Sequence, residues 1–193
     1  MEISERQLEI ISAAGKILTE SGLSGLTTKN LAKEMGFSEA AIYRHFNSKE
    51  DIILALLQYL RNNMDDRLEQ ICLPDAAPEV KFAAIFQSQF QFFKANPHFV
   101  VAVFSDGLLE ESEKINQAIM QLMQVKMKYL MPLIMQGQQS GTFTQAITTE
   151  ELVHIVMGSF RLQMYKWKIS NFKFDIERQG QNMLQALLTL MKP

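Results

Sequence analysis

Apolar residues recur at every third or fourth position along nearly the whole chain, and no convincing run alternates as a half-buried strand would. Leu8, Ile11, Gly15 and Leu18 share one face of a helix opened by Ser4-x-x-Gln7, which has the form of a capping box. Gly22 stands where a left-handed residue would end that helix. Thr27 or Thr28 caps a second, short helix with Leu31, Ala32 and Met35 inward, and Gly36 closes it. Ser38 caps a third, anchored by Ile42 and Phe46. From Ser48 a longer helix repeats Ile52, Leu56, Leu60, Met64 and Leu68 at every fourth position.

Pro74 and Pro78 bracket a break. Phe82, Phe86, Phe90 and Phe93 then predict a Phe-rich helix stopped near Asn96-Pro97, followed by a short apolar segment, 98–105, ending at Asp106-Gly107. Residues 111–139 predict a long helix with Pro132 as a kink and Gly141 as its terminator. Thr148-x-x-Glu151 repeats the capping-box pattern, and helices at about 149–169 and 174–191 close the chain. The expected fold is all-α, about nine helices without a sheet. A head over residues 4–64, with its recognition motif at about 27–46 and a linking helix from 48, precedes a larger body over 65–193.

Composition narrows the class. With 193 residues, 47% hydrophobic and 21% charged, the chain suits a packed protein and not a disordered one. A single cysteine, Cys72, forms no intramolecular disulfide and suits a reducing compartment. No apolar run approaches the roughly 20 residues of a membrane span, and MEISERQLEI is acidic without the apolar core of a signal peptide. A cytoplasmic location is expected. The net charge of −2 argues for no polyanion in general, yet residues 27–49 hold Lys29, Lys33, Arg44 and Lys49 against Glu34 and Glu39. Contact with nucleic acid must therefore be focused.

The stretch GFSEAAIYRHFNSKE, residues 36–50, concentrates the chemistry. Two short helices joined at Gly36-Phe37-Ser38 and braced by a first make a helix-turn-helix, whose second short helix enters the major groove. Ala40 and Ala41 are small enough to let that helix approach base edges. Tyr43 and His45 carry donors that reach phosphate oxygens at the rim. Lys49 opens the next helix, where its ammonium and free backbone N–H groups hold a phosphate together. Taken singly, Tyr43 and His45 also suit a three-helix core, and Thr27 and Ser38 suit plain caps.

The run GLSGLTTKNLAKEMGFSEAAIYRHFNSKEDIILAL resembles the DNA-binding head of the TetR family of transcriptional regulators over about residues 8–57. The resemblance implies a three-helix head and a divergent helical body that dimerises and binds a small effector. It implies phosphate contacts from Thr28, with neighbouring Thr27, and from Tyr43, His45 and Lys49. It places Lys29, Ser38, Glu39, Ala40, Ala41 and Arg44 near base edges. Glu39 departs from the family pattern; it reads cytosine N4 or points to solvent.

The body holds 11 of the 13 Phe and nine of the 12 Met. Met120, Met123, Met127, Met131 and Met135 lie at helical spacing, as a core stripe or as the wall of a deformable apolar cavity. Candidate lining residues are Phe86, Phe90, Phe104 and Met123, with Met127, Met157, Phe160 and Met164. His98, Asp106, Glu110 and Arg161 are candidate polar anchors. In the last two helices, small Gly158 and Ser159 beside Ile155 and Leu162, with Leu184, Leu187, Leu188 and Met191, form a candidate dimer face of a four-helix bundle. The histidines and Cys72 are scattered, with no metal-ligand spacing, and no nucleophile elbow or phosphate-binding glycine loop occurs. No metal, cofactor or enzymatic activity is expected. The expected partners are a pseudo-palindromic double-stranded DNA operator, a small apolar or aromatic effector and a second copy of the chain, with no membrane. The expected function is a repressor released by the effector. A DNA-binding architectural or cell-division protein without an effector, and a helical ligand carrier, are the alternatives.

Overall fold

The computed structural model describes residues 4–73, 75–104 and 112–193. Among the described residues there are nine helices and no strand. The breaks expected at Pro74 and Asp106-Gly107, and the candidate anchors Asp106 and Glu110, lie outside them.

The chain forms two compact units, Met1–Asn62 with Pro97–Leu122, and Asn63–Asn96 with Met123–Pro193. The first unit starts with α1, Glu5–Gly25, whose Ser4 hydroxyl accepts from the Gln7 N–H while the Gln7 side chain accepts from the Ser4 N–H. Gly22, at φ 65° and ψ −166°, interrupts the helical geometry, but the chain makes one more turn and ends at Gly25. The expected terminator is thus a break inside the helix, because Leu26, 1% exposed, is drawn into the core just beyond it. Leu8 is exposed, while Ile10, Ile11, Ala14 and Leu18 are buried. Ile11, Gly15 and Leu18 of the expected face are thus inward, Ile10, Ala14 and Ile17 widen it, and only Leu8 departs from it.

Then follow α2, Thr28–Met35, and α3, Glu39–Tyr43. Between them Gly36 takes the left-handed conformation, φ 66° and ψ 30°, which costs glycine little and other residues more. Helix α4, Lys49–Cys72, begins at Ser48, whose hydroxyl accepts from the Asp51 N–H at 3.1 Å. Ile52, Leu56, Leu60, Met64 and Leu68 are all buried, as their spacing predicts. Helix α6, Pro97–Val103, also belongs to the first unit and packs on α1.

In the second unit α5, Pro78–Ala95, turns Phe82, Phe86, Phe90 and Phe93 inward. Helix α7, Glu113–Gln139, continues through Pro132. A second capping box, Thr148 with Glu151, opens α8, Thr149–Ile169, and Asp175 caps α9, Ile176–Leu190. Helix α9 lies close against α5: a Cβ at Gly180 would meet the Phe90 ring at 2.3 Å. Leu184 and Leu187 of α9, and Met191 just beyond it, are buried within their own chain, where they are not free to face a second copy. Both α4 and α7 begin in the first unit and end in the second.

Candidate functional site

The head is built from local rules. The Thr27 hydroxyl accepts from the Asn30 N–H at 3.1 Å and the Ser38 hydroxyl from the Ala41 N–H at 3.3 Å, so each cap fixes the first turn of its helix. Leu31, Ala32, Ile42 and Phe46 fill the space beneath. The opposite side of α3 is left outward: Glu39, Ala40, Tyr43, Arg44 and His45 are exposed and Ala41 is half-buried. Lys29 is exposed on α2, and Lys49 is half-buried at the start of α4.

Three of these side chains form a hydrogen-bonded chain. The Thr28 hydroxyl donates to Glu39 Oε2 at 3.0 Å and lies 3.4 Å from the Tyr43 hydroxyl. With its own proton committed to the carboxylate, Thr28 can accept from Tyr43. Thr28 and Tyr43 are thus linked across α2 and α3, with the Glu39 carboxylate as the acceptor at the end of the chain. Helix α3 ends at Tyr43, yet His45 and Phe46 N–H groups still bond to the Ile42 carbonyl at 3.0 and 3.1 Å. Arg44 and His45 therefore extend the same outward edge by a further turn.

In the second unit the rings gather on Phe160, with centroids 5.6 Å from Phe86, 5.5 Å from Phe90 and 6.3 Å from Phe93. Met164 is buried and Met157 half-buried on the same helix. Three candidates fall elsewhere. Met123 and Met127 are 40% and 41% exposed, so they line no interior wall, and Phe104 packs in the first unit. Helix α7 carries two apolar stripes, and the one that turns inward runs Ile115, Ile119, Leu122, Lys126, Leu130 and Leu133. Lys126 on that stripe makes it look the more polar of the two. Of the candidate anchors described, His98 packs against α1 in the first unit and Arg161 is exposed.

Sequence reasoning missed Lys126 and Gln89. Lys126 is 7% exposed and its Nζ sits 3.4 Å from the centroid of the Phe160 ring. Burial, with the like charge of Arg67 beside it, pulls its pKa down to about 7. Gln89 is fully buried, and neither its amide nitrogen nor its amide oxygen has a hydrogen-bond partner. Arg67 donates from Nη1 to the Ser88 hydroxyl at 2.7 Å and carbonyl at 3.1 Å, and from Nε to Asn63 Oδ1 at 2.8 Å. Its Nη2 is buried without a partner, and burial lowers its pKa. The available signal was a cation and an amide falling on otherwise apolar helical stripes.

Helix α8 has a second, outward stripe. Ile155, Leu162, Tyr165 and Ile169 are exposed, Ser159 is half-buried, and a Cβ on Gly158 would meet nothing within 4 Å. Leu188 on α9 is half-buried. Among the described residues no helix is long and apolar enough to cross a membrane, and no cluster of His, Cys, Asp and Glu could hold a metal ion.

A capped three-helix head with an outward polar edge after a left-handed glycine defines a helix-turn-helix protein. The family described as bacterial regulatory proteins, tetR family, matches residues 10–56, and the YsiA-like protein C-terminal region matches residues 58–190. The chain belongs to the TetR family of regulators, with a body of the YsiA-like type. It is 22% identical over 184 residues to a fatty acid metabolism regulator protein of Bacillus subtilis, covering 95% of this chain and 94% of that one. It is 25% identical over 173 residues to the nucleoid occlusion factor SlmA of Vibrio atlanticus, covering 89% and 88%. The solved structure of the transcriptional regulator FadR from Bacillus subtilis in complex with stearoyl-CoA has the same fold, with a TM-score of 0.83, 20% identity and 95% and 98% coverage.

Proposed function

We propose that this chain acts as a homodimeric transcriptional repressor that releases a pseudo-palindromic operator when an acyl compound enters its body. The observation that carries the reading is the outward edge of α2 and α3, where Thr28, Tyr43 and exposed Arg44 and His45 stand together above a fully apolar underside. Thr27, Thr28, Tyr43, His45 and Lys49 take phosphate oxygens. Lys29, Ser38, Glu39, Ala40, Ala41 and Arg44 face the bases, the small alanines setting how near the backbone comes. We take residues 4–64 as the reading part and 65–193 as the sensing part, with Pro97–Leu122 of the latter packed in the same compact unit as the head.

One short recognition helix gives a short site and weak binding, so two copies are needed to read two half-sites about 34–36 Å apart. The outward stripe of α8, Ile155, Gly158, Ser159 and Leu162, is the face on which the copies pair, with Leu188 at its edge. Helix α4 is continuous from Lys49 to Cys72, so one element leads from the head toward the body. A coupling of about 1–3 kcal/mol lowers operator affinity roughly 5- to 150-fold. The stearoyl-CoA of the Bacillus subtilis structure and the aromatic interior around Phe160 both favour an acyl effector. A cytoplasmic location follows from the DNA target.

The similarity to a nucleoid occlusion factor favours a second reading, DNA binding without a small effector. Duplexes selected from a randomised library and then challenged with palmitoyl-CoA separate the two. Release supports the repressor, and unchanged binding supports the effector-free protein.

A further inference from the structure

The second unit buries more polarity than its own chain satisfies. Lys126, Gln89 and Arg67 come from α7, α5 and α4, and all three belong to the second unit. Lys126 stands over Phe160, which also touches Phe86, Phe90 and Phe93 of α5. Gln89 lies on that same buried face of α5. Arg67 is tied to α5 at Ser88 and lies over the Phe92 ring at 4.4 Å. Those contacts fix the guanidinium, so the unpartnered Nη2 keeps its place.

A buried cation without an acid beside it, and a buried amide with neither atom paired, are costly to keep. Replacing them by apolar residues of like size would remove that cost, so their presence in an aromatic interior calls for a partner from outside the chain. Donors dominate the set: the Lys126 ammonium, the Arg67 Nη2 hydrogens and the Gln89 amide hydrogens. Such a set suits an oxyanion, and the neighbouring Phe rings suit a hydrocarbon chain.

We propose that Lys126, Gln89 and the free Nη2 of Arg67 receive an oxyanion at the head of the effector's hydrocarbon chain, making the ligand class an anionic acyl compound. The inference rests on reading the body as an effector chamber. The low pKa of Lys126, about 7, agrees with a site that lacks its counter-charge when unliganded. The oxyanion has two sources, the carboxylate of a free fatty acid or a phosphate of an acyl-coenzyme A.

Titration calorimetry of the full chain with palmitate, palmitoyl-CoA and uncharged methyl palmitate tests it, using the natural chain, Lys126→Met and Gln89→Leu. At least one anionic compound should bind about tenfold or more tighter than the ester, a difference of roughly one charge-assisted hydrogen bond. Each substitution should remove about tenfold of that affinity and leave methyl palmitate within about twofold. Loss confined to palmitate assigns the carboxylate, and loss confined to palmitoyl-CoA assigns the phosphate; both support the site. If Lys126→Met fails to fold, the uncharged Gln89→Leu exchange carries the test. Unchanged anion affinity in the folded variants, or equal losses for anion and ester, overturns the headgroup site while leaving the chamber. Failure of all three compounds to bind the natural chain overturns the chamber reading as well.

Discussion

Gly15 and His98 occupy the same space. A Cβ at residue 15 would lie 2.6 Å from His98 Cδ2 and 2.7 Å from Cγ, so the imidazole of α6 rests directly on the backbone of α1. Glycine in mid-helix is normally a loss of about 1 kcal/mol against alanine. Here the contact reverses that preference. Gly15→Ala should destabilise the protein by about 1–3 kcal/mol, because the ring cannot withdraw without repacking. Gly15→Ala with His98→Ala should recover most of it. Urea unfolding of the two variants checks both statements.

His98 also carries a pH dependence. Burial holds its pKa below the ordinary 6.5, so the native state favours the neutral ring. Between the folded value and 6.5 the unfolded chain binds more protons, and stability falls as pH drops through that window. Below the folded value the loss is complete. His98→Phe should flatten the curve on the acid side of 6.5, read as melting temperature against pH.

Lys126 does the same on the alkaline side. Its pKa is lowered from 10.5 to about 7, so the unfolded state binds the extra proton between those values. Stability linked to this group rises with pH from about 7 to 10.5, and below 7 the buried charge is present in full. Lys126→Met should raise the melting temperature most at or below pH 7 and remove the rise above it. A variant that melts lower than the natural chain at pH 7 would show that Lys126 is compensated in the native state.

At the proposed reading edge, Glu39 accepts from the Thr28 hydroxyl, which adjoins that of Tyr43. Its carboxylate opposes an approaching polyanion while holding Thr28 in place. Glu39→Gln keeps an acceptor for Thr28 and removes the charge, so non-specific duplex binding should tighten by about 1 kcal/mol, roughly fivefold, at low salt. Tyr43→Phe should weaken all sequences alike, and Lys49→Ala should also reduce the salt slope by about one. Arg44→Ala should relax preference at one position. Anisotropy titrations at several salt concentrations separate these outcomes.

Pairing is tested on α8. Leu162 is 59% exposed in one chain, so Leu162→Glu leaves the monomer fold intact and places a charge on the proposed pairing face. Light scattering should report a monomer, and operator affinity should fall with the loss of the second half-site.

The head was legible because its signals are local. Ser4, Thr27, Ser38 and Ser48 each cap within three residues, and Gly36 closes its helix by its own backbone. The body was less so, because its choices are made by other helices. Helix α7 offers two apolar stripes, and only packing decides that Lys126 turns in while Met123 and Met127 turn out. Leu184 and Leu187 read equally well as a dimer face or as core. Their burial in their own chain makes them core, and helix contacts such as that of Gly180 with Phe90 are invisible at a separation of 90 residues.

The most direct test of the regulator is selection of bound duplexes from a randomised library at about 0.15 M salt, comparing the natural chain with Arg44→Ala. The account predicts a palindrome with half-site centres one helical turn, or a multiple of it, apart, and a blurred base preference in the variant. Recovery of no preferred sequence by the natural chain would contradict it.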